Sequence, residues 1–169
     1  MNIKNHVRDV PDFPKQGIIF KDITPILNNA AAFQETIKQM AKKIPDETDV
    51  LLGIESRGFI FAATLAYKLG KRFVPIRKKD KLPAAVYKQE YDLEYGTDLI
   101  EIHKDALHAN DKVVIIDDLL ATGGTAAAAE KLIAKCNAGL VGALFLIELD
   151  FLNGRDNLKN NNVISLIHY

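Results

Sequence analysis

Short apolar runs and stretches of helical spacing alternate along this chain. Val50 to Ile54, Arg72 to Arg77, Val113 to Ile116, Leu140 to Leu149 and Val163 to Tyr169 are rich in apolar or β-branched residues and read as strands. Between them, Asn29 to Lys43 brings Phe33, Ile37, Met40, Ala41 and Ile44 to one helical face, and Pro45 stops it. Phe59 to Leu69 predicts a second helix with Gly70 just past its end. Ala126 to Lys131 opens a third, which runs through Leu132, Ile133 and Cys136 to about Gly139. Asn2 to Arg8 predicts a short helix, Ile18 to Phe20 a short strand, and residues 151–158 a loop with a short helix. This alternation predicts a single α/β domain over residues 1–169, built on a mainly parallel sheet. Pro75 places the Arg72 to Arg77 strand near an edge. Residues 78–97 show no clear period and are long for a structureless connection, so the stretch is either functional or disordered.

Composition narrows the class without identifying it. The chain has 169 residues, with 22 basic and 22 acidic side chains and a formal net charge of zero. No basic excess argues for nucleic acid, and no charge block or long apolar run argues for a membrane. The N-terminal MNIKNHVRDV lacks the apolar core of a signal peptide, and the one cysteine, Cys136, has no internal partner. The expectation is a cytoplasmic enzyme.

The chemistry concentrates in Lys112 to Thr125, KVVIIDDLLATGGT. The apolar strand is closed by Asp117 and Asp118, and a small-residue loop, Ala121 to Thr125, leads into a helix. A glycine-rich turn at a helix N-terminus is an anion site, because the first-turn amides point outward and the dipole adds partial positive charge. No Lys follows the second glycine, so this is not a Walker A loop, and the GxGxxG dinucleotide fingerprint is absent. Carboxylates beside a phosphate repel it unless they have another task, and accepting hydrogen bonds from vicinal sugar hydroxyls is such a task. The loop therefore points to a ribose 5-phosphate. A structural βα turn with two solvated acids is the other reading that the loop alone leaves open.

The segment DDLLATGGT resembles the PRPP-binding motif of the type I phosphoribosyltransferases, and among them the adenine-specific enzymes; PRPP is 5-phosphoribosyl 1-diphosphate. Further stretches carry the same resemblance: FPxxGIxFxDITP from Phe13 to Pro25, GIESRGF from Gly53, KLP from Lys81, and LEYG from Leu93. The resemblance implies a doubly wound sheet, a small N-terminal hood over residues 1–28, and a mobile catalytic loop over residues 78–97. It implies ribose-phosphate binding by Asp117, Asp118, Leu119, Ala121, Thr122, Gly123, Gly124 and Thr125. It assigns diphosphate to Glu55, Ser56, Arg57, Arg77 and Lys81, with a cis peptide at Glu55–Ser56. It places adenine on Phe20, with the main chain of Ile19 and Lys21 reading the base edge and Leu149 closing the pocket. Lys21 stands where Arg is common in the family, and Asp80 where Gly is expected. Glu94 and Tyr95 are the implied catalytic residues, a carboxylate brought in by the loop taking the proton from the purine. The implied reaction converts adenine and PRPP to AMP and diphosphate. Mg²⁺ is the implied cofactor, held mainly by substrate and water with no direct protein ligand, and the implied assembly is a homodimer with no nucleic-acid or membrane partner.

Read bare, several of these residues have plainer roles. Phe20 is a core aromatic, Leu149 a core leucine, and Glu94 a solvated charge. Glu101 rivals Glu94 by chemistry, but the alternation of Leu99 to Ile102 places it on the polar face of a strand. A phosphoribosyltransferase for another base, such as orotate, hypoxanthine or xanthine, and a regulatory PRPP-binding protein without catalysis also remain open.

Overall fold

The computed structural model describes residues 1–92 and 96–169, and within it the chain forms two compact units, residues 1–42 and 43–169. In the first, a 3-10 turn (Ile3–His6) precedes the antiparallel strands β1 (Arg8–Pro11) and β2 (Ile19–Asp22), followed by the helices α1 (Thr24–Leu27) and α2 (Ala30–Ala41). Asp22 ties the hairpin to α1. Its carboxylate accepts from Arg8 Nε at 2.9 Å, from the Thr24 amide at 2.9 Å and from Thr24 Oγ1 at 2.8 Å. Asn29 caps α2 by accepting from the Ala32 amide at 3.0 Å. The buried stripe of α2 is Ala32, Thr36, Ile37 and Met40, so Phe33 and Ala41 sit at its margin and not at its centre as the apolar spacing predicts. A buried threonine is tolerated there because its hydroxyl donates to the Ala32 carbonyl at 2.8 Å.

The second unit is a seven-stranded sheet. Its elements in chain order are β3 (Val50–Ile54), α3 (Arg57–Leu69), β4 (Arg72–Lys78), β5 (Val86–Asp92), β6 (Thr97–His103), β7 (Lys112–Leu120), α4 (Gly124–Lys135), β8 (Gly139–Glu148) and β9 (Val163–His168). The strand order is β5-β6-β4-β3-β7-β8-β9, with β4, β3, β7, β8 and β9 parallel and the β5–β6 hairpin antiparallel at one edge. Alternate residues of β3 serve opposite faces. Val50, Leu52 and Ile54 join a core with Ala129, Leu132 and Ile133 of α4. Gly53 leaves room for Ala62 of α3 and the ring of Phe73. The sheet is thus covered on both faces, as the predicted doubly wound α/β class requires.

Pro75 fits because of how β4 is paired. The strand lies beside β3 along its length, but β6 joins it only from Arg77 onward. At Pro75 β4 is an edge, which is where a missing amide is harmless.

The described residues of 78–97 are more ordered than their lack of period predicts. Val86 to Asp92 pairs with Thr97 to His103 residue by residue. Only Tyr91 of β5 is buried, so this edge strand never needed the apolar alternation by which a strand is recognised. Glu101 departs from its predicted place on the polar face. It is buried, paired with Lys88 across the hairpin at 3.0 Å, and accepts from the Asp80 amide at 3.2 Å. That last bond holds Asp80 in a left-handed conformation, φ +60°, which is why a turn that suits glycine tolerates aspartate here.

Arg72 and Asp111 join the amino ends of β4 and β7, Nη2 to Oδ2 at 2.5 Å, and the His108 amide donates to the same oxygen at 2.6 Å. Burial alone would raise the Asp111 carboxyl. The His108 amide and the Arg72 guanidinium outweigh it and hold the group below the usual carboxylate range.

Two stability measurements check these readings. Asp80→Gly should raise the urea midpoint by the equivalent of about 0.5–1 kcal/mol, since the left-handed penalty of about 1–2 kcal/mol exceeds glycine's entropic cost; a lower midpoint would contradict it. Asp111→Asn should cost about 1–2 kcal/mol at pH 7. A depressed carboxyl stabilises the fold above its unfolded value of about 3.9 and loses that contribution as pH falls through the folded value. The gap between wild type and Asp111→Asn should therefore close below about pH 4, and a gap that stays constant with pH would rule the ion pair out as its source.

Candidate active site

The chain leaves β3 for α3 and β4 on one side, and leaves β7 for α4 and β8 on the other. Between β3 and β7 the two connections diverge, and open α/β sheets place ligands at such a point, beyond the carboxyl ends of the strands. The pairing of β3 with β7 ends at Gly53–Ile116, while β7 runs on against β8 as far as Leu120–Glu148. Asp117 and Asp118 thus do not close the strand, as the sequence reading had it. They lie inside an extension of β7 that has lost its β3 neighbour.

Asp118 is buried and Asp117 half-buried. The Asp118 amide donates to Asp117 Oδ1 at 2.9 Å, and Arg57 Nε lies 2.9 Å from Asp118 Oδ2. Gly58, in the first turn of α3, packs so closely that a Cβ there would sit 2.7 Å from Asp117 Oδ1. Loss of solvent pushes both carboxyls up. The Asp118 charge adds to the effect on Asp117, while the Arg57 guanidinium pulls Asp118 partly back. Ionising both carboxyls in these surroundings is costly, and hydroxyl donors or a cation would lower that cost.

Directly after β7, Ala121 to Thr125 make the turn into α4. Gly123 is the N-cap at φ +81°, with no side-chain cap. The first-turn amides of α4 are therefore not consumed by a capping side chain, the arrangement an anion uses.

Glu55–Ser56 is a cis peptide. The Glu55 carboxylate accepts from the Lys78 amide at 2.8 Å and from Arg77 Nε at 3.3 Å, while Arg77 Nη1 donates to the Lys81 carbonyl at 3.3 Å. Burial would raise Glu55, but the Lys78 amide and Arg77 keep it below its ordinary range, hence ionised. Glu55, Arg77 and Lys81 are thus brought together at the ends of β3 and β4, with Arg57 one residue beyond the cis bond and Asp118 as its partner.

In the first unit, Ile19, Phe20 and Lys21 form most of β2. Ile19 is exposed, Phe20 is half-buried and meets Phe13 edge-on at 5.2 Å, and Lys21 Nζ pairs with Asp9 at 2.7 Å. Leu149 follows β8, half-buried, and its amide donates to the Leu120 carbonyl at 3.0 Å. Glu94 and Tyr95 lie outside the described residues. Their flanks are pinned: Lys78 Nζ meets Tyr91 Oη at 2.6 Å and also pairs with Asp98, which accepts from Tyr91 Oη at 2.9 Å.

Sequence reasoning missed Gly154 and Asn157. They follow β8 in a 3-10 turn, Gly154–Asn157, that packs on the Ala121–Thr125 loop. The only prior signal was a glycine in a polar loop. One other cluster, Glu148, Asp150 and His168, gathers ligand-type atoms within 4.8 Å of one another. Arg155 forks both oxygens of Glu148 at 2.6 Å each, so this is an ion-pair network.

A model of the phosphoribosyl transferase domain matches residues 21–163. The adenine phosphoribosyltransferase of Trichormus variabilis is 52% identical over 172 residues, covering all of both chains. The crystal structure of adenine phosphoribosyltransferase from Thermoanaerobacter pseudethanolicus superposes with a TM-score of 0.96 at 51% identity, covering 99% of this chain and 98% of that one. The Saccharomyces cerevisiae enzyme, solved with an imino-altritol bisphosphate and adenine, superposes at 0.89 with 42% identity, covering 96% of this chain and 95% of that one. Domain match, whole-length identity and superposition agree with the geometry at the ends of β3 and β7, and the chain belongs to the phosphoribosyltransferase family, in its adenine phosphoribosyltransferase branch.

Proposed function

We propose that this protein converts adenine and PRPP to AMP and diphosphate, a purine-salvage transfer. The observation that carries this reading is the Asp117–Asp118 pair overhanging the sheet beside the Ala121–Thr125 turn. One strand end thereby offers acceptors for ribose hydroxyls and donors for the 5-phosphate.

In this assignment the 5-phosphate sits on the amides of Ala121 to Thr125, Leu119 included at the strand end, and the hydroxyls on Asp117 and Asp118. The diphosphate falls to the loop from Glu55 to Arg57, with Arg77 and Lys81 adding positive charge. Glu55 serves through its main chain and by holding Arg77, since its carboxylate is already engaged. As the bond from C1 to diphosphate oxygen breaks, positive charge develops on the ribose, and adenine N9 bonds to C1. Glu94 takes the N9 proton, and Tyr95 acts beside it. Phe20 stacks on the base while the main chain of Ile19 and Lys21 reads its edge; the Lys21 ammonium is engaged by Asp9, which favours that main-chain role. Leu149 is the apolar contact for the base.

The site suits Mg²⁺: two neighbouring carboxylates with little solvent, close to where a diphosphate would bind, are the surroundings in which this ion keeps water and substrate oxygens as most of its ligands. When bound, Mg²⁺ would offset charge on the leaving diphosphate. Asp117 and Asp118 would act on it through water and ribose oxygens. A homodimer and a cytoplasmic location complete the proposal. Ile60 and Tyr67 on α3 expose apolar surface of the kind a second subunit covers, and among the described residues no helix is long and apolar enough to cross a membrane.

The test offers adenine, hypoxanthine, guanine and orotate in parallel with PRPP and Mg²⁺. Adenine alone should yield a nucleotide, and Glu94→Ala should lower kcat by about 10²–10⁴-fold. Turnover of another base would overturn the assignment of Phe20 and its neighbours. PRPP binding without turnover of any base would mark a regulatory protein.

A further inference from the structure

The turn from Gly154 to Asn157 belongs to no ligand in the assignment above, yet both its ends, Gly154 and Asn157, touch the phosphate loop. Gly154 is buried, and its φ is not in the left-handed region that would call for glycine. What forbids a side chain there is space: a Cβ at Gly154 would overlap the Ala121 carbonyl oxygen and lie 3.2 Å from the Gly123 nitrogen. The relation is reciprocal, since a Cβ at Gly123 would overlap the Gly154 carbonyl oxygen. Two glycine backbones are pressed face to face, one from each segment. Beside them Asn157 Nδ2 donates to the Thr122 carbonyl at 2.6 Å.

The peptide plane turns these contacts into an aiming device. In a trans peptide the carbonyl and the following amide point in opposite directions, and neither Ala121–Thr122 nor Thr122–Gly123 is among the cis bonds. Holding the Ala121 and Thr122 carbonyls against the 154–157 turn directs the Thr122 and Gly123 amides away from it. An anion needs that orientation, because carbonyl oxygens turned inward would repel a phosphate.

The turn is itself firmly held. Arg155 donates to both oxygens of Glu148 and, through Nη1, to the Val163 carbonyl at 2.6 Å, tying it to β8 and β9. Glu130 of α4 accepts from the amides of Lys159 at 3.0 Å and Asn160 at 3.2 Å.

We propose that Gly154 and Asn157 are positioning residues for the 5-phosphate: they pre-set the amides of the 121–125 loop so that little ordering remains when ligand arrives. This rests on the reading of that loop as the phosphate site. It predicts a defect confined to the phosphate-bearing substrate.

Gly154→Ala and Asn157→Ala, with wild type alongside, test it through steady-state kinetics and calorimetric titration with ribose 5-phosphate. Asn157 is exposed, so Asn157→Ala carries the test if Gly154→Ala does not fold. KM for PRPP and Kd for ribose 5-phosphate should rise about tenfold in Gly154→Ala and a few-fold in Asn157→Ala, the scale of one lost hydrogen bond or a displaced carbonyl. KM for adenine should be unchanged, and kcat at saturating PRPP should stay within about twofold. Wild-type ribose 5-phosphate and PRPP parameters in the folded variants, or equal losses for both substrates, would overturn the proposal. Wild type failing to bind ribose 5-phosphate would instead overturn the phosphate-loop reading.

Discussion

The close approach of the first turn of α3 to the end of β7 is the constraint on which the rest of the site depends. Gly58 leaves no room for a methyl group beside Asp117 Oδ1, and Arg57, one residue earlier, reaches Asp118. Two adjacent carboxylates in desolvated surroundings are costly. The fold offsets part of that cost with the Arg57 guanidinium and the backbone amides of Asp118 and Leu119. The cost left over is what sets this strand end apart from an ordinary turn and supports the proposed reading of it. If β3 paired with β7 one or two residues further, Asp117 would lie within the sheet and the crevice between the diverging connections would shrink.

Much of this was legible because buried parallel strands have a strong sequence signature. Val50–Ile54 was readable to the residue, and Gly70 marked the end of α3, whereas α2 stops at Ala41, short of Pro45. The hairpin β5–β6 was not, because an edge strand with one buried side chain carries almost no hydrophobic period. Glu101 was misplaced for a related reason. A glutamate between isoleucines reads as the solvent face, and only the pairing of Lys88 opposite it and the Asp80 amide above it explain its burial. The motif residues of the site were legible as a cluster, because the 117–125 segment is contiguous. Gly154 and Asn157 were not, since their contacts join segments more than thirty residues apart, and a close backbone approach leaves no mark in spacing.

Charge and shape divide the labour in this unit. Arg57 pairs with Asp118 and Arg77 with Glu55, each joining two segments, while Asp117 accepts from the neighbouring Asp118 amide within β7. The Ala121–Thr125 turn is built from Ala, Thr and Gly. Its precision therefore comes not from side-chain packing of its own but from what lies behind it. The 154–157 turn and α4 act on successive peptides: the turn holds the carbonyls of Ala121 and Thr122, and the helix orders the amides from Gly124 onward. A loop of small residues has little else to hold it, which is why backbone-to-backbone contact at two glycines carries structural weight that a bulky neighbour would supply elsewhere.

The hairpin obeys a different logic. Lys78, the last residue of β4, meets both strands of the hairpin at Tyr91 and Asp98, one pair before its far end. Lys78 is also where Glu55 accepts a main-chain amide. Burial would lower the Lys78 ammonium, but Asp98 and Tyr91 outweigh it and hold the group above its ordinary value, hence charged. One residue thus couples the loop after β3, through its amide, to both strands of the hairpin, through its ammonium. The residues on either side of Glu94 and Tyr95 are in this way referred to the same strand end as the Glu55–Arg57 loop.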